Sequence, residues 1–229
     1  MKELFKKKET LFSILLIVIY VVLNSYCVNS FGTTSYITTI INTLISILLI
    51  VLMKLLDRTK YYGLTKVKNL KKYLYFIPLL IIGTVNLWNG FNINNTPKEI
   101  LFYILTMINV GFIEEIIFRG FLFKMIEKDN LNKAIIISSL TFGIGHIVNL
   151  LNGASLIPTL FQICYAVSLG YLFVTIFIKS KSLLPCIITH SLINSLAIFN
   201  VQSEISTYLI PIILIIISLS YSFYIKRSV

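Results

Sequence analysis

Acidic residues are scarce: the 229-residue chain has 9 Asp and Glu against 20 Lys and Arg, and only 13% of its residues are charged. So little charge, with 57% hydrophobic residues and a mean hydropathy of +0.88, excludes an ordinary soluble domain. Cysteine is equally sparse. Cys27, Cys164 and Cys186 lie in or at the ends of apolar runs with no CxxC spacing, which excludes a disulfide framework or a zinc knuckle and leaves them as small packing residues. No GxSxG elbow occurs, and Asp57 and Asp129 fall in polar linkers, so serine and aspartyl intramembrane chemistries lack their residues. There is no internal repeat, low-complexity tail or soluble domain.

What the chain does have is a succession of apolar runs, and about 20 such residues at about 1.5 Å each cover the hydrocarbon of a bilayer. The pattern predicts an all-α, polytopic transmembrane helical bundle with eight spans, at about Leu11–Val28, Tyr36–Leu56, Tyr73–Trp88, Lys98–Lys124, Lys133–Leu151, Ile157–Ile178, Leu183–Asn200 and Ile205–Ile225. The third is the weakest, being short and holding Pro78 and Gly83. The basic start resembles a secretory signal, but no small-residue cleavage site follows Leu11 to Leu23, and Tyr26 before Cys27 spoils a lipoprotein site, so it reads as a first span.

The net charge of +11 raises the question of nucleic acid, and the placement of the charges answers it. Lys2, Lys6, Lys7 and Lys8 precede the first span; Arg58, Lys60, Lys66, Lys68, Lys71 and Lys72 follow the second; Lys124 to Lys133, Lys179 with Lys181, and Lys226 with Arg227 fill alternate later linkers. The other linkers hold only Lys98. This one-sidedness is the positive-inside rule, which predicts a multi-pass protein of the cell membrane with both termini cytoplasmic and no nucleic-acid partner. The lipid bilayer is the partner expected instead.

Ionisable groups inside hydrocarbon are costly and mark functional sites by default. The two histidines, His146 and His190, both fall within expected spans, as do Glu114, Glu115 and Arg119. Glu115 and Arg119 stand four apart and can pair on one helical face, while Glu114 points about 100° away. His190 and Asn194 share a face by the same spacing, and so do Phe142 and His146. Counted from the basic linkers at about 1.5 Å per residue, Glu114, His146 and His190 lie roughly 15, 20 and 14 Å deep, so three helices bring them to similar depth. Each has a plainer reading alone: a structural ion pair for Glu115 and Arg119, a helix-to-helix hydrogen bond for either histidine, close packing for Gly143 and Gly145, a polar packing group for Gln162. A proton-coupled transporter would also use Glu and His in spans.

Glu114-Glu115-Ile-Ile-Phe-Arg119, Phe142-Gly-Ile-Gly-His146 and His190-Ser-Leu-Ile-Asn194 resemble the EExxxR, FxxxH and HxxxN motifs of the CAAX protease and bacteriocin-processing (CPBP, or Abi) family of intramembrane proteases, in the family's order over about Lys98 to Asn200. The resemblance implies a catalytic core at 98–200, with N-terminal helices at 1–97 and a C-terminal helix at 201–229. It also implies a peptidase acting on a peptide or membrane-protein substrate, near the cytoplasmic side. In it Glu114 would be the general base toward a water that His146 also holds; His190 and Asn194 would donate to the oxyanion; Glu115, Arg119 and Phe142 would support them. A Zn2+ held by Glu114, His146 and His190 is the alternative, although HExxH is absent and ligation would occupy the base, so no metal is favoured. The Ile-, Lys- and Asn-rich usage resembles an AT-rich bacterial gene, which points from prenylated proteins toward bacteriocin or signalling-peptide maturation. A non-proteolytic role in bacteriocin self-immunity or as a maturation partner is the rival.

Overall fold

The computed structural model describes residue 5 and residues 8–68, 76–201 and 203–227. The expected cytoplasmic anchors Lys2, Lys6, Lys7, Lys71 and Lys72 lie outside these. The structure is 80% helical, with no strand among the described residues, and is an all-α bundle. Its helices are α1 (Glu9–Phe31), α2 (Tyr36–Leu55), α3 (Ile77–Gly83), α4 (Pro97–Glu115), α5 (Leu131–Gly145), α6 (Leu156–Ser180), α7 (Leu184–Leu196) and α8 (Glu204–Arg227).

Helix starts follow the capping chemistry. The Ser35 hydroxyl accepts from Ile37 N, and Asn130 Oδ1 accepts from Lys133 N at 2.9 Å. Thr96 and Glu99 form a reciprocal capping box ahead of Pro97, each side chain accepting from the other's backbone N–H. Gly32, at φ 82°, turns the chain out of α1.

Six helices are long and apolar enough to cross a membrane: α1, α2, α4 with its continuation to Glu127, α5 with its continuation to Leu151, α6, and α8 from Ser206. Two of the eight expected spans fall outside this set. The described part of the third expected span is a seven-residue helix and a 3-10 turn, Val85–Leu87, where Pro78 sits in the first turn and the chain breaks after Gly83. The seventh is an apolar helix of intermediate length, Leu184–Phe199, shortened at its start by Pro185 and at its end by a 3-10 turn.

The bundle has a basic end and an opposite end. At the basic end Glu9 pairs with Lys128, Arg58 lies 3.9 Å from Glu9, and the Thr65 hydroxyl donates to Lys181 O. At the opposite end the Thr38 hydroxyl donates to Gly32 O, Asn89 Nδ2 to Val201 O, and Phe91 bridges to Asn200. Large apolar side chains such as Val22, Leu48 and Leu80 are exposed along the flanks, as lipid contact requires.

Polar and small residues fix the helix pairs. Thr39 and Thr106 hydroxyls meet at 2.8 Å between α2 and α4, and Asn42 Nδ2 donates to Asn24 Oδ1 between α2 and α1. Such bonds contribute about 0.6 kcal/mol each in membrane bundles. Two glycines allow the closest approaches: a Cβ on Gly111 of α4 would lie 2.8 Å from Ser191 N of α7, and one on Gly143 of α5 would lie 2.8 Å from Val167 N of α6. Gly145 meets nothing nearer than Phe118 at 3.9 Å, so of the two glycines read as close-packing residues only Gly143 is one. Cys27 and Cys186 are buried, but Cys164 is exposed.

Candidate active site

Glu114 and Glu115 close helix α4, and the next eight residues, Ile116–Phe123, continue it as a π-helix. A widened turn is a device common at functional sites, because it rotates side chains out of the 3.6-residue register. Arg119 lies within it, and every residue of the segment is buried.

The two adjacent glutamates diverge, as neighbours on a helix must. Glu115 is fully buried, and its Oε1 accepts from Arg119 Nη1 at 3.0 Å and lies 2.9 Å from His190 Nδ1. The Arg119 guanidinium carbon lies 4.0 Å from the Phe142 ring centroid and 5.7 Å from that of Phe173, which offsets part of its desolvation. Its Nε and Nη2 have no hydrogen-bond partner among the described residues. The rings therefore matter more to this cation than a second acceptor does.

Glu114 faces the other way, into a cavity of about 200 Å³ whose wall also includes His146, Phe142, Met107 and Asn149. Its Oε1 accepts from the Tyr20 hydroxyl of α1 at 3.2 Å, and its Oε2 lies 3.7 Å from His190 Nε2. His190 thus stands between the two carboxylates, one ring nitrogen toward each. His146 ends α5 as its C-cap, at the point where the helix breaks before a short turn of helix at Val148–Leu151. Phe142 joins the parts: its ring centroid lies 5.5 Å from those of both His146 and His190.

Of the residues predicted from sequence, Glu114, His146 and Phe142 line one cavity and His190 reaches it through Glu114. Asn194, one turn beyond His190 on α7, is half-buried and not part of the cavity wall. Gln162 accepts from Asn149 Nδ2 at 2.8 Å, a packing bond at the cavity rim. Tyr20 is the site residue that sequence reading missed. Among the described residues no group of three His, Cys, Asp or Glu is placed so that it could hold a metal ion.

A buried Glu-Arg-His network beside a second, cavity-facing glutamate, inside a bundle of helices able to span a membrane, marks the candidate active site of an integral membrane protein. Residues 96–196 match the family model described as type II CAAX prenyl endopeptidase Rce1-like, of the CPBP/Abi group. No curated protein and no solved structure matches the chain. The family match supports a CAAX-type intramembrane protease in general terms.

Proposed function

We propose that the chain hydrolyses a peptide bond of a membrane-associated substrate at the cell membrane, with Glu114 as the general base. The observation that carries this is the division of labour between the two glutamates. Glu115 is spent on Arg119 and His190, whereas Glu114 faces the cavity with one oxygen toward Tyr20 and the other toward His190.

A water held between Glu114 and His146 gives its proton to the Glu114 carboxylate as its oxygen attacks the scissile carbonyl carbon. The C–O bond forms, the carbonyl π electrons move to oxygen, and the resulting anion takes a hydrogen bond from the Nε2–H of His190. Collapse breaks the C–N bond, and Glu114 returns the proton to the leaving amine. Glu115, 2.9 Å from Nδ1, holds the ring so that Nε2 faces the reacting carbonyl. Asn194 remains the second proposed donor on the strength of its motif.

The test maps new peptide N-termini in membranes from cells producing the wild type or Glu114→Gln. Termini present with the wild type and absent with the variant are expected. Identical sets would overturn proteolysis and favour the binding role in bacteriocin immunity.

A further inference from the structure

Helix α1 is fastened to the rest of the bundle at both ends and stands away from α5 between them. At the basic end Glu9 holds Lys128, and Phe12 packs on Phe121 with ring centroids 5.9 Å apart. At the opposite end Asn152 Oδ1 accepts from Ser25 Oγ at 2.7 Å and from Asn29 Nδ2 at 2.8 Å. Between these fastenings lies a groove of about 720 Å³, walled by Ile17, Val18 and Val22 of α1 and by Thr141 and Ile144 of α5. Val18 and Ile144 are each 51% exposed, on a flank that faces lipid.

Two relationships give the groove meaning. It shares Val21, Ser25, Gly145 and Val148 with the cavity of Glu114, so groove and cavity adjoin across these four residues. It also brackets Tyr20, whose hydroxyl touches Glu114, so it opens to lipid at the depth of the base. The cavity itself runs from Glu114 away from the basic end, toward a polar rim of Asn24, Asn149 and Asn152. An apolar window beside a polar mouth separates two needs: the window suits a lipid-embedded chain, and the mouth suits water.

We infer that the window between α1 and α5 admits an apolar segment of a membrane-anchored polypeptide, whose scissile bond is reached from the half of the bilayer opposite the basic loops. By the positive-inside rule that half is extracytoplasmic, opposite to the side that the family resemblance implies. The substrate class rests on the proteolytic reading above, whereas the side of access rests on charge and cavity shape alone.

The side of access is read by labelling Met107→Cys in the cavity and Asn149→Cys at its rim, each with Cys164→Ala, using a membrane-impermeant maleimide. Labelling of both in intact cells, unchanged by Glu114→Gln, is expected; labelling only in inside-out vesicles would overturn the assignment. The window is read by mapping Glu114-dependent N-termini in Val18→Trp and Ile144→Trp, which fill the groove without touching Glu114, at matched membrane abundance. These termini should map to extracytoplasmic halves of membrane-anchored proteins and fall about tenfold or more in both variants. Unchanged yields in both would overturn the window. If no terminus depends on Glu114, the proteolytic reading fails and takes the substrate class with it, while labelling still decides the open face.

Discussion

The Tyr20 hydroxyl of α1 lies 3.2 Å from Glu114 Oε1 of α4, a contact that spans 94 residues of sequence and ties the first helix to the proposed base. A hydrogen bond to a charged group is worth about 1.5–3 kcal/mol. Tyr20→Phe removes this one without changing the ring, so kcat on a Glu114-dependent substrate should fall about ten- to a hundredfold with KM little changed. An unchanged kcat would reduce Tyr20 to a wall residue.

The two glutamates should fail differently. Glu115→Ala leaves Arg119 buried beside Phe142 without its counter-charge, and breaking such a pair typically costs about 3–5 kcal/mol. Thermal unfolding in detergent should therefore drop sharply for Glu115→Ala and hardly at all for Glu114→Gln. Equal melting temperatures would contradict the structural assignment of Glu115.

Gly143 tests how the helices position His146. A Cβ there would sit 2.3 Å from Val167 Cγ2 and 2.9 Å from Ile163 O, so Gly143→Ala should force α5 away from α6 at a cost of about 1–3 kcal/mol. Gly145→Ala, with ordinary contact to Phe118 alone, should unfold like the wild type. Comparable destabilisation by both would show that the close approach is not what limits the packing.

The site was legible where it depends on spacing within one helix. Glu115 pairs with Arg119 because i and i+4 share a face, and Glu114 diverges because i and i+1 do not. Contacts between helices left weaker traces. Tyr20 is one of 13 tyrosines with nothing local to mark it, and its partner is set by how α1 leans on α4. The contact of His190 with Glu115 depends on the close approach at Gly111 and Ser191, and the π-helix after Glu115 has no hydropathy signal. Helix length was least legible at Tyr73–Trp88, whose described part is interrupted after Gly83, and at Leu183–Asn200, trimmed by Pro185.

The two proposed oxyanion donors can be ranked. His190 contacts both glutamates, whereas Asn194 stands outside the cavity wall, so His190→Ala should lower kcat more than Asn194→Ala, which should cost no more than about tenfold. An equal or larger loss for Asn194→Ala would mean that substrate draws it into the site.

The most direct test of Glu114 as the base is turnover by purified protein of a peptide identified through the N-terminal mapping, after exhaustive chelation. Wild-type protein should keep its rate, and Glu114→Gln, which preserves side-chain volume, should lose about a thousandfold or more. A Glu114→Gln rate equal to the wild type's would contradict the account, as would turnover abolished by chelation and restored by zinc.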